Sequence, residues 1–238
     1  MKYLKKFESY VYFQKDLDEI IDAIKDLPII EDLRKCPNNL KNRLFYHAKK
    51  DFFYHDYEDS DEYNLTLVKH KRRTKPSDTP IILHEYISKK LENKLGWNPR
   101  EDTIFVHNGE LSSYKYGDYG ENFILFPKGK YDLVWNDTTP DMYNALWERF
   151  ESIKKWRGIP HMIGNPTNDE EKQELDEMYV FLDEYAETFK DIKDYDLCKW
   201  FDSGVEGMLK SEAYYLIHDK FENDILQFIY GQKKNTQK

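Results

Sequence analysis

The chain has 238 residues, enough for one large domain or two small ones with a substantial core. Its net charge of -9 opposes binding to nucleic acid or an anionic membrane through the global field. A third of the residues are charged (34%), yet 16% are aromatic, which excludes a disordered chain.

The opening MKYLKKFESYVYF has no long apolar core and no small-residue cleavage site, so it does not read as a signal peptide. No apolar run approaches the ~18 residues of a membrane span. Residues 15–35 begin as an amphipathic helix with Leu17, Ile20, Ile21 and Ile24 on the helical period, broken or kinked at Pro28. Cys36 and Cys198 stand far apart, without CxxC or Cys/His spacing. They read against a zinc ribbon and against a disulfide framework, and a reducing, cytoplasmic setting is the default.

Pro37-Asn38-Asn39 signals a turn, and LKNRLFYHAKKDFFYH after it reads as a second helix. An acidic stretch, HDYEDSDEY, reads as a loop. Residues 64–73, NLTLVKHKRR, alternate at their start and predict a strand. IILHEYISKKLENKLG predicts a helix, with Ile82, Tyr86, Ile87, Lys90 and Leu91 in one stripe and Gly96 as its stop. DTIFVHN is a short strand, and ELSSYKYGDYG a short helix or turn. NFILFP and YDLVWN are strands, and Pro127-Lys128-Gly129 between them suggests a hairpin.

TPDMYNALWERFESIKKW predicts a helix capped by Thr139 with Pro140 at its first position. GIPHMIGNPTN is a loop, and residues 169–192 a long acidic helix. LCKWFD leads into SGVEGMLKSEAYYLI, a strand, a kink and a second strand. Alternation puts Val205, Gly207 and Leu209 on one face, and Glu206 and Met208 on the other. KFENDILQFIYGQ closes the chain as strand or helix. The order indicates a mixed α+β domain rather than regular βαβ alternation. An N-terminal helical part, 1–60, would cover a core of 61–232, one compact unit overall, with a frayed tail at 233–238.

Few local motifs carry chemistry. His55, Asp56, Glu58, Asp59, Asp61 and Glu62 could gather a divalent metal, the basis of a metal-dependent hydrolase reading. Their spacing matches no calcium loop, and they read as a solvated acidic loop. KHKRRTK, residues 69–75, is the densest basic cluster and could hold phosphates or a nucleic-acid backbone, or simply keep a strand edge polar. His47, His84, His161 and His218 stand singly, and there is no GxSxG, HExxH or GxxxxGK[ST]. Glu206 inside a strand is disfavoured unless its face is solvated or the group is used.

Five segments in order, spanning roughly residues 60 to 220, resemble the ADP-ribosyltransferase fold, and more closely a group of ADP-ribosyltransferase-like proteins of large phages. They are RRTKPSDTP, KLGWNPR, IFVHNGELSSYKYGDYG, FPKGKYDLVW and GVEGMLKSEAYYL. The resemblance implies a split β-sheet core with flanking helices, NAD+ as co-substrate without a metal, and a phage-encoded enzyme acting in the host cytoplasm. Arg72 or Arg73 would hold an NAD+ phosphate or ribose. Phe105 would stack on nicotinamide, with Tyr114 or Tyr116 lining the site. Glu206 would bond the nicotinamide ribose and support an oxocarbenium-like transition state. The implied activity is mono-ADP-ribosylation of a host macromolecule, a protein rather than nucleic acid. The alternative is an inactive relative that binds a host protein, for which the acidic segment 169–192 suits a basic partner. No Ser-Thr-Ser motif is present. Gly204 stands where some members carry a Glu or Gln that helps modify arginine, so arginine is not the implied acceptor.

Overall fold

A computed structural model describes residues 9–13, 15–36, 43–49, 64–70, 72, 81–108, 121–138, 142–150, 168–203 and 205–231. In chain order the elements are β1 (Ser9–Phe13), α1 (Leu17–Ile24), α2 (Pro28–Lys35), β2 (Tyr46–Lys49), β3 (Leu65–Lys69), α3 (Ile81–Leu95) and β4 (Ile104–Val106). They continue with β5 (Glu121–Pro127), β6 (Asp132–Asn136), α4 (Met142–Arg149), α5 (Asp169–Glu187), β7 (Phe189–Asp191), α6 (Leu197–Ser203), β8 (Gly207–Lys210), β9 (Ala213–His218) and α7 (Glu222–Tyr230). The architecture is mixed α+β with two antiparallel sheets, ordered β1-β3-β9-β5-β2 and β4-β8-β6-β7.

Alternation builds the layers. On β6, Leu133 and Trp135 enter a first core, while Val134 enters a second. The first core draws on both sheets and also takes Ile20 and Ile24 of α1, Ile29, Ile30 and Leu33 of α2, Trp200 and Phe201 of α6, and Ile225, Leu226 and Ile229 of α7. The second core joins the other face of the four-stranded sheet to α3 and α5 through Leu83, Ile87, Leu91, Met178 and Leu182. At the surface of that layer, Asp183 on α5 accepts from Tyr86 at 2.8 Å and pairs with Lys90 at 2.7 Å, both on α3.

Local chemistry explains most boundaries. Asp16 caps α1 in a reciprocal box with Glu19. Pro28 occupies the first turn of α2, where its missing N–H costs nothing. Gly96 and Gly231 follow α3 and α7 with φ of +77° and +66°, the left-handed conformation glycine adopts cheaply. Among the described residues, no helix is long and apolar enough to cross a membrane.

Five expectations are corrected. The helix expected within residues 40–55 gives way at 46–49 to strand β2. Leu44, Phe45 and Tyr46 are buried in succession, which a helical stripe does not allow. β2 pairs with β5, and Tyr46 and His107 exchange backbone hydrogen bonds of 2.9 and 2.8 Å that tie the two sheets together. The N-terminal part therefore contributes strands β1 and β2 as well as helices. β5 and β6 form no hairpin, because β5 joins β9 and β2 while β6 joins β8 and β7. Gly129, at φ +95°, turns the chain from one sheet to the other. The acidic helix stops at Glu187, and Phe189–Asp191 pairs with β6 instead.

The cysteine reading is also overturned. Cys36, at the end of α2, and Cys198, on α6, form a disulfide with Cα atoms 5.3 Å apart across 162 residues of sequence. Separation along the chain says nothing of separation in space once α2 and α6 line the same core. The cap at Thr139 and Pro140, the loop before residue 168, the acidic stretch 55–62 and the tail 233–238 lie outside the described residues.

Candidate active site around Glu206

Glu206 sits directly before β8, a strand buried on both faces: Gly207 and Leu209 face the first core and Met208 the second. That fixes the backbone beneath the carboxylate, whose side chain remains 23% exposed. Gly207 is glycine for a side chain rather than a ligand. A Cβ there would stand 2.9 Å from Leu133 Cδ1 and 2.9 Å from the Trp200 indole nitrogen. Trp200 is fully buried and stacks on Phe45, with ring centroids 4.8 Å apart. The close approach at this glycine is made by α6 and by Leu133.

Strand register supplies the neighbours of Glu206. Val106 pairs with Gly207, and Gly207 with Trp135. One residue beyond the β4–β8 pairing, His107 lies beside Glu206. His107 Nε2 lies 3.8 Å from Glu206 Oε1. Its imidazole is 7% exposed, and burial pulls its pKa from 6.5 down to about 4. At neutral pH it is uncharged. Phe105 precedes it by two residues on the same face of β4, half-buried opposite Met208. The Phe105 carbonyl accepts from His47 Nδ1 at 2.8 Å, so β2 steadies this strand. Asn136 is buried and saturated: its amide donates to Tyr185 O and Thr188 Oγ1, and its oxygen accepts from Thr138.

Phe105 thus stands opposite Met208, with His107 and Glu206 just beyond the paired ends of β4 and β8. Arg72 does not join them. It donates to Glu101 Oε2 at 2.7 Å and lies 3.6 Å from Asp102, at the opposite end of β4. Lys210 marks that same end, 4.0 Å from Asp102, and is four residues from Glu206, or ~13 Å along a strand. Met208 between them is buried in the second core. Arg73, Tyr114 and Tyr116 lie outside the described residues.

The Arg72 end opens on a cavity of about 670 Å³ lined by His70, Asp102, Lys130, Asp132, Lys210 and Glu212 among others. Its charges largely answer one another. Lys210 faces Asp102, and Asp132 pairs with Lys193 at 3.2 Å. Tyr131 in its wall donates to Asp32 at 2.7 Å, and burial pushes its phenol far above the ordinary range. Among the described residues, no group of three or more His, Cys, Asp or Glu side chains is placed to hold a metal ion.

Sequence reasoning weighed four histidines singly and passed over His107. The signal was present in IFVHN: alternation places Phe105 and His107 on one face. What was not legible is the pairing that sets this face beside Glu206. Compared with known proteins, the chain matches no protein-family model, no curated protein and no solved structure.

Proposed function

We propose that the chain is an NAD+-dependent mono-ADP-ribosyltransferase that modifies a host macromolecule, a protein rather than nucleic acid, and that it is phage-encoded and works in the host cytoplasm. The observation that carries the reading is a rigidly based carboxylate beside a neutral imidazole, with the Phe105 ring two residues before that imidazole in the chain. Breaking the bond between ribose C1′ and nicotinamide leaves positive charge on the ribose as nicotinamide departs with the electron pair. A preorganised carboxylate stabilises that charge as it develops. Glu206 supplies it, and His107 is uncharged above pH ~5 given its pKa of about 4. Phe105 offers a face to the nicotinamide ring. The acceptor's nucleophilic atom then bonds C1′ and loses its proton. Arg72 is engaged by Glu101 and Asp102 at the other end of β4, and no phosphate-holding residue is assigned.

A second reading is a non-catalytic protein that docks on a basic partner. It is favoured by the outer face of α5, where Asp169, Glu170, Asp176, Glu177, Glu184 and Glu187 are all exposed.

Incubating the protein and a bacterial lysate with NAD+ labelled in its adenylate phosphate separates these readings. The transferase reading expects label on a macromolecule with wild type and at least about a hundredfold less with Glu206→Gln. Nicotinamide release without transfer would indicate hydrolysis, with water as the acceptor. Absence of NAD+ binding and consumption would overturn the enzymatic reading and leave the docking one.

A further inference from the structure

We propose that the Cys36–Cys198 disulfide is a redox latch that holds the Glu206 site in order, so that its reduction loosens the site. The inference rests on the reading above only for what the site does. The coupling itself stands on contacts between α6 and the strands on which the site is built.

α6 has seven residues, far below the length at which a helix is stable by itself. Two kinds of tie hold it. Apolar packing buries Leu197, Trp200 and Phe201 in the first core. The disulfide fixes its second residue, Cys198, to the end of α2. From α6 the contacts run directly to the site. Asn108, immediately after His107, donates its side-chain amide to the carbonyls of Trp200 and Phe201, at 3.0 and 3.3 Å. The Trp200 indole fills the space over Gly207, the residue after Glu206. Ser203, the last residue of α6, is three positions before Glu206 and donates back to the Trp200 carbonyl at 2.6 Å. One short helix therefore steadies the ends of β4 and β8 next to His107 and Glu206, and the disulfide pins that helix.

Cys36 is 3% exposed and Cys198 is half-buried. In a reducing compartment dithiol donors would hold the pair open, and disulfides there serve as transient, redox-sensing bonds. Reduction is thiol–disulfide exchange. A dithiol attacks Cys198, Cys36 leaves as thiolate and is protonated, and the second donor thiol releases Cys198 as the donor becomes a disulfide. Two electrons and two protons pass to the protein. Oxidised glutathione or another small disulfide reverses the step.

The test is amide hydrogen exchange on the full chain, oxidised and after dithiothreitol, well below the melting temperature, with Cys198→Ser as a second sample. On reduction, exchange in peptides covering 197–208 and 104–108 is expected to rise at least about tenfold, while 81–95 and 169–187 stay protected. Oxidised glutathione should restore protection in wild type and not in Cys198→Ser. Unchanged exchange around α6 overturns the latch. So does a parallel rise in every peptide, which marks a general staple, or full alkylation of both cysteines before reductant is added. NAD+ consumption is followed in the same samples. If the oxidised protein consumes NAD+, an unchanged rate on reduction also overturns the latch. If it consumes none, the transferase reading falls and the exchange data still decide the latch.

Discussion

Gly207 and His107 show how single residues set this site. A methyl group at 207 would meet Leu133 Cδ1 and the Trp200 indole at 2.9 Å, and both partners are buried with nowhere to move. Gly207→Ala should therefore cost about 1–3 kcal/mol. Its melting temperature should fall by roughly 3–10 °C, and an unchanged midpoint would contradict the packing described. His107 makes stability depend on acid. Its folded pKa of about 4 is below the 6.5 of the exposed group, so the unfolded chain takes up the proton first as pH falls. Stability is full above about pH 6.5, declines down to about pH 4 and then levels, by up to about 3 kcal/mol from this group. Urea midpoints of wild type and His107→Gln, compared at pH 7 and pH 4.5, isolate the contribution. The variant should lose less stability over that interval.

Among the elements, the β8–β9 kink repays attention because it sets where Glu206 stands in the sheet. Tyr214, fully buried, accepts from Ser211 N at 2.8 Å and donates to Leu209 O at 2.8 Å, closing the turn between the strands. Tyr214→Phe removes both bonds and leaves a buried backbone N–H unanswered, so about 1–3 kcal/mol should be lost. Faster exchange of the Ser211 amide would locate the loss, and unaltered exchange would argue against it. This kink was legible in SGVEGMLKSEAYYLI, because alternation breaks there. So were α3 and its glycine stop, the split of α1 from α2 at Pro28, and the short strand in DTIFVHN. Each is written in local chemistry. β2 was not, because nothing in LFYHAK excludes a helix; its strand form is decided by β5 and His107, far along the chain. The false hairpin has the same origin. Pro127-Lys128-Gly129 marks a turn correctly, but not which sheet each flanking strand joins.

At the scale of the whole molecule, the two ends of the chain meet in one core. α1 and α2 pack with α6 and α7 in the first core, and the disulfide closes a loop of 162 residues across that junction. Chain entropy sets its contribution at about 5 kcal/mol at most, so the reduced protein should melt roughly 5–15 °C lower and remain folded at room temperature. A reduced protein already unfolded at 25 °C would show that the core alone cannot hold the fold. The disulfide was illegible because sequence separation conceals spatial contact, just as it conceals the meeting of Glu206 with His107. Phe105 and Glu206 were singled out by the resemblance; the register sets Phe105 opposite Met208, two residues after Glu206. Arg72, singled out in the same way, stands at the far end of β4.

The most direct measurement of Glu206 as the active carboxylate is the rate of nicotinamide release from NAD+ by purified wild type and Glu206→Gln at pH 7.5, with equal melting temperatures verified first. Release by wild type, reduced at least about a hundredfold by the single oxygen-to-nitrogen change, is the expected result. Equal rates in the two proteins, or no release and no NAD+ binding by either, would contradict it.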